Sequence, residues 1–196
     1  MELFLQCWGG AGYFLSKVFL VRAEFTERDK NWRLAGWISY LAGMPAWVTL
    51  FISRQDWIAS AIEIASIPAI TLGIVLVWKQ TVKPNKSFDL GIKIFNFLII
   101  TAGTVYSIYI FNGITTFSQV LEIIIMFSVL SGNYLLAKRN PYGWLMFMIA
   151  LISTSTLMYI QGKPILCAQQ LISLIPAIIG FIKIMRKRRK SRNRLV

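Results

Sequence analysis

Residues 36–80 read GWISYLAGMPAWVTLFISRQDWIASAIEIASIPAITLGIVLVWKQ, and residues 143–187 read GWLMFMIALISTSTLMYIQGKPILCAQQLISLIPAIIGFIKIMRK. Laid side by side without a gap, the two stretches share Gly36-Trp37 with Gly143-Trp144, and Ser66 and Gly73 with Ser173 and Gly180. Glu63 falls opposite Gln170, and Tyr40 opposite Phe147. Thr49, Leu50, Ile58 and Ala61 are the other identities. Apolar stretches match by chance more readily than mixed ones, so the weight lies on the matched glycines and polar positions. A pattern that recurs at a constant offset marks an internal repeat. In an apolar chain such repeats build transporters whose substrate sits where the two units meet.

Composition bounds the class. The chain has 196 residues, of which 56% are hydrophobic, with a mean hydropathy of +0.60. A water-soluble domain has too little polar surface at that composition. Runs of about 20 apolar residues match the thickness of the hydrocarbon core, and only helices or closed barrels satisfy their backbone there. Seven spans are expected, over 3–22, 35–53, 57–78, 90–111, 118–137, 142–160 and 164–184. Charge and turn residues separate them: the cluster from Arg22 to Arg33, then Lys83-Pro84-Asn85-Lys86, Asn112-Gly113, Asn140-Pro141 and Gly162-Lys163-Pro164.

The net charge of +13 is confined to short connections and the end of the chain. Alternate connections carry Arg22, Arg28, Lys30 and Arg33; Lys79, Lys83 and Lys86; Lys138 and Arg139; and a final group from Arg186 to Arg194. The intervening connections hold Arg54 and Lys163 alone. Lys17, Lys93 and Lys183 are placed near the basic ends of their helices. Basic residues stay on the cytoplasmic side, so the N-terminus is expected outside and the C-terminus in the cytoplasm of a bacterial inner membrane. The basic tail reads as an anchor beside anionic lipid, and no nucleic-acid partner is expected. The organisation follows: a first three-helix unit over 1–80, a connector helix over 81–115, a second three-helix unit over 116–186 and a basic tail over 187–196. An odd connector gives both units one orientation, a 3+1+3 parallel repeat in an all-α membrane protein.

The chain has no histidine, and its two cysteines, Cys7 and Cys167, stand in apolar stretches without a metal-ligand spacing. These facts remove the commonest general base and metal ligands, so neither an enzyme nor a cofactor is expected. No nucleotide-binding motif is present, which leaves a gradient or intracellular trapping to drive any transport.

Polar residues in hydrocarbon are costly and mark function or helix contacts. Glu63, Ser66, Ile70 and Gly73 share one helix face, as do Gln170, Ser173, Ala177 and Gly180. These faces read either as a cavity wall or as hydrogen-bonded helix packing. In span five, Gln119, Glu122, Met126 and Asn133 line up. Asn133 is the deep one, and Gln119 and Glu122 are placed near water. Tyr40, Trp47, Phe147 and Tyr159 offer flat rings for a planar ligand, or ordinary packing. Trp37 and Trp144 read as interfacial belt residues or inner-gate aromatics. Trp32, Trp57, Trp78 and Tyr142 fall at span ends, as belts do. Span four is expected to pack outside as a connector.

The segment GNYLLAKRNPYGW, the YIQGKPI turn, and Gln170 placed ahead of Gly180 before a basic exit resemble the C-terminal region of the PnuC vitamin transporters. The resemblance spans about 120–187, and extends over 36–80 through the internal repeat. It implies seven spans in a three-one-three plan, akin to the SWEET sugar carriers, and a substrate such as nicotinamide riboside or a related vitamin. The family's second tryptophan is Phe147 here, its acidic or amide position is Leu151, and its helix-three glutamine is Glu63 in the first unit. The expected function is facilitated uptake, with Glu63, Ser66, Asn133, Gln170 and Ser173 bonding the substrate and Tyr40, Trp47, Phe147 and Tyr159 stacking on it. A SWEET-type sugar carrier, a carrier of another vitamin and a non-transporting membrane scaffold stand as alternatives. The partners are the substrate and the bilayer, with a homo-oligomer left open.

Overall fold

The computed structural model describes residues 1–26, 29–53, 57–81, 83–110 and 112–192, with backbone alone for 57, 58, 165, 188 and 190–192. The placements proposed for Arg28, Arg54 and Arg194, and for the side chains of Trp57, Arg188, Lys190 and Arg192, lie outside the described residues. Every described element is a helix: α1 Glu2–Phe25, α2 Asp29–Ser53, α3 Trp57–Ala65, α4 Ile67–Trp78, α5 Lys86–Ile110, α6 Phe117–Ala137, α7 Tyr142–Ile160 and α8 Pro164–Arg192.

Six stretches are long and apolar enough to cross a membrane: Asp29–Ser53, Ala59–Trp78, Lys86–Ile110, Phe117–Ala137, Tyr142–Ile160 and Leu166–Lys187. The first expected span, α1, is not among them. Its glycines, Gln6 and Lys17 lower its hydropathy, and it is held by packing instead. The third span is interrupted at one residue, Ser66, whose φ and ψ stay helical. Ser66 forms a turn between α3 and α4, and its N–H is shared between the Ile62 and Glu63 carbonyls, each at 3.1 Å. Pro68 has no N–H to return to Ile64 and its ring crowds that carbonyl, which explains the break. At the other end of the chain, α8 continues to Arg192, into the stretch read as the basic tail. Lys and Arg suit the last turns of a helix, where they face the negative end of its dipole.

Four helices finish alike. Gln80, Asn112, Arg139 and Gly162 adopt left-handed φ values of 52°, 51°, 53° and 67°. In each case the following N–H reaches back five residues: Thr81 to Leu76, Gly113 to Ile108, Asn140 to Leu135 and Lys163 to Met158. This closure caps the last carbonyls and turns the chain tightly.

Small residues let the helices approach. A Cβ on Gly12 would lie 2.7 Å from the Gly43 Cα, joining α1 to α2. Positions matched between the two stretches pack alike. Gly36 receives Leu20, and Gly143 receives Leu136. The Trp37 ring covers Gly73, and the Trp144 ring covers Gly180. Helices α1, α2 and α4 form one group, and α6, α7 and α8 another; α1 against α8 and α4 against α6 join the groups. The two junctions exchange equivalent partners. Helix α5 stands apart, with Ile92, Asn96 and Ser107 as its buried residues, while Phe97, Leu98, Val105 and Tyr109 face outward.

Candidate functional site

A cavity of about 490 Å³ lies between the two groups and takes wall residues from α1, α2, α3, α6, α7 and α8. It runs from Phe51, Glu122, Gln161 and Lys163 at the helix ends to Tyr13, Lys17, Tyr40 and Phe147 at mid-helix. Below that depth the bundle is filled by Trp37, Trp144, Leu72, Leu76 and Leu136. The space therefore opens toward one end and is closed at the other.

One wall is a ladder of rings. Tyr13 stacks on Tyr40 at 4.3 Å between centroids, with 26° between planes. Trp47 follows 6.1 Å from Tyr13, and Phe51 stacks on Trp47 at 5.6 Å. Such offset rings present a flat apolar face with a polar handle at each tyrosine. The Tyr13 hydroxyl donates to the Glu63 carboxylate. Lys17, 6% exposed, reaches its own Tyr13 carbonyl at 3.4 Å. Its ammonium lies 5.8 Å from the Tyr13 ring and 6.0 Å from the Phe147 ring. A buried cation is tolerated when charge and ring faces surround it; here the charge is Glu63. Tyr13, Lys17 and Glu63 thus form one polar group at the inner limit of the cavity.

The expected site residues divide. Glu63, Gln170, Tyr40, Trp47 and Phe147 line the cavity. Asn133 is 0% exposed and stands behind the wall, its amide 3.5 Å from the Tyr40 hydroxyl. Its carbonyl oxygen has no partner among the described residues. Ser66 and Ser173 are buried and are not wall residues; Ser66 donates to the Ile62 carbonyl at 3.0 Å.

Several placements need correction. Tyr159 is 76% exposed and outside the cavity. The wall of α7 is Phe147, Ala150, Leu151, Thr154, Leu157, Met158 and Gln161, and at about 100° per residue Tyr159 falls outside that stripe. Trp37 and Trp144 are 2% and 1% exposed, too deep for an interfacial belt; each is spent on covering its glycine. Lys17 belongs to the bundle interior rather than to a helix end. Gln119 is buried rather than wet: its amide donates to Ser107 Oγ at 3.1 Å and to the Gly113 carbonyl at 3.0 Å, tying α5 to α6. Trp78 and Tyr142 are exposed, as belt residues are. Sequence reasoning misses Tyr13 as a wall residue. The available signal is Tyr13 and Lys17 four residues apart, well before the basic cluster that begins at Arg22.

The closed end is held by charge as well as packing. Arg33 bonds Glu24 at 2.5 Å and Asp29 at 3.1 Å. Arg139, from the second group, bonds the same Asp29 at 3.0 Å. Lys138 and Lys93 meet Asp89 at 3.0 and 2.9 Å, and Tyr134 donates to it at 2.7 Å. Among the described residues, the Asp29–Arg139 pair is the ion pair that joins the groups.

No protein family, curated protein or solved structure matches the chain.

Proposed function

We propose that the chain is a facilitator for nicotinamide riboside or a related small vitamin or nucleoside in a bacterial inner membrane. On this reading it has seven spans in a 3+1+3 parallel repeat, with the N-terminus outside and the C-terminus in the cytoplasm. The observation that carries the reading is the one-sided cavity between the repeated units, where a ladder of rings runs beside the Lys17–Glu63–Tyr13 group. An ammonium and a carboxylate lining one cavity complement a planar group that carries a carbonyl acceptor and an N–H donor. A carboxamide ring is such a group. The ring faces supply apolar contact, and the polar pair sets orientation. The exchanged helix contacts support the parallel repeat, and the basic residues support the orientation. Transport follows from rocking one unit against the other: the Asp29–Arg139 bridge parts at the closed end as the ring wall closes.

The test is uptake into proteoliposomes holding the purified chain, with labelled nicotinamide riboside, thiamine and glucose compared, and thermal shift with each compound. Saturable riboside uptake with a matching stabilisation is the expected result. Glucose uptake alone would assign a sugar carrier. Neither uptake nor stabilisation by any of the three would leave the scaffold reading.

A further inference from the structure

A second cleft of about 540 Å³ lies at the opposite, closed end, between the end of α1 and the last turns of α8. Its walls are Glu24, Phe25, Thr26, Ile179, Ile182, Lys183, Arg186 and Lys187. Three cations meet there and one acid. That acid, Glu24, is already engaged by Arg33 at 2.5 Å, so it does not neutralise them. Lys183 is held over the Phe25 ring at 4.2 Å. Among the described residues, Lys183, Arg186 and Lys187 have no acidic partner within ion-pair distance.

The cleft is continuous with an apolar track. Ile172, Ile175, Ile179 and Ile182 are 54%, 58%, 42% and 43% exposed. They recur along one face of α8 at helical spacing, and Arg186 is the next residue of that row. A row of outward-facing isoleucines ending in cations that have no acidic partner among the described residues has the polarity of a single amphiphile: acyl chain below, anionic headgroup above.

We infer that this cleft is a binding site for one anionic glycerophospholipid, its phosphate held by Lys183, Arg186 and Lys187 and its chain laid along the isoleucine row. The cations attract the headgroup by charge and donate to its phosphate oxygens. The site is separate from the transport cavity, and the inference does not depend on what that cavity carries.

The test is native mass spectrometry of the full chain from phosphatidylcholine nanodiscs containing a small share of phosphatidylglycerol. The wild type is expected to retain one phosphatidylglycerol. Each surface cation contributes roughly 1 kcal/mol, so Lys183→Gln/Arg186→Gln/Lys187→Gln should weaken retention by about a hundredfold. Arg186→Gln alone, a milder change at an exposed position, should weaken it about fivefold. Lys183→Arg/Lys187→Arg should retain the lipid. The control Lys79→Gln/Lys83→Gln/Lys86→Gln removes the same charge elsewhere at that end and should retain it too. Equal loss in the control and the cleft variants would overturn the site in favour of diffuse surface attraction. Retention by the triple cleft variant would also overturn it, as would displacement by excess inorganic phosphate, which would indicate a free-anion site.

Discussion

The two three-helix groups agree where they pack and differ where they face the cavity. Trp37 on Gly73 and Trp144 on Gly180 are one contact made twice, as are Leu20 on Gly36 and Leu136 on Gly143. Toward the cavity, the first group presents Tyr40, Glu63, Tyr13 and Lys17, and the second Phe147, Leu151, Thr154 and Gln170. At mid-helix depth one wall is charged and hydroxyl-rich and the other is mostly apolar, with Thr154 and Gln170 as its polar groups. Glu122, Gln161 and Lys163 add polar groups on the second group's side nearer the helix ends. The packing repeats because each ring needs a missing Cβ beneath it. The cavity faces are free to diverge because nothing on the opposite wall constrains them.

Mutation can test this likeness and this difference separately, and the shared packing should respond most. Trp37→Ala and Trp144→Ala each empty a fully buried site and should each cost about 3–5 kcal/mol. Thermal unfolding in detergent measures both, and a clear inequality would refute the equivalence of the two contacts. The divergent walls come next. Glu63→Gln leaves Lys17 without its counter-charge and removes a charge-assisted hydrogen bond of about 1.5–3 kcal/mol, so ligand affinity should fall by about tenfold or more. Gln170→Ala removes one neutral contact and should lower affinity several-fold at most, by about 0.5–1.5 kcal/mol. Titration calorimetry on the two variants would sink the asymmetry if their losses were equal.

Smaller still is the charged bridge between the groups. Asp29 and Arg139 are partly exposed, so Asp29→Asn should cost about 0.2–1 kcal/mol in stability. Its larger effect should be on access. With Leu20→Cys as a reporter, Asp29→Asn should speed reaction with a thiol reagent from the closed end, and an unchanged rate would remove the bridge from the gate. The smallest effect is expected at Tyr159, where Tyr159→Ala should change stability and affinity by no more than about 0.5 kcal/mol, in contrast to Phe147→Ala.

Much of this architecture is legible in the sequence. Span positions follow from hydropathy and from turn residues. The glycine and tryptophan pairs are visible because no other residue fits beneath a ring at close approach. Glu63 stands out because a carboxylate in an apolar stretch demands a reason. The misreadings have physical causes. Tyr159 has suitable chemistry, while its position along α7 turns it away from the wall stripe. Lysines gather at helix ends, and Lys17 departs from that rule because Glu63 from a distant helix supplies its counter-charge. Gln119 lies near a span end, where water is the usual partner, but Ser107 and the Gly113 carbonyl supply what water would have given. Each of these depends on which helix lies opposite, and one helix's periodicity does not state that.

The turn at Ser66 has a mechanical consequence. In the second group Gln170 and Gly180 ride on one helix that runs on through Pro176. In the first group the joint falls between Glu63 on α3 and Gly73 on α4. The carboxylate can tilt with its short segment while Trp37 stays seated on Gly73. A proline sits in both arms, Pro68 in one and Pro176 in the other, and only in the first is the helix interrupted beside it.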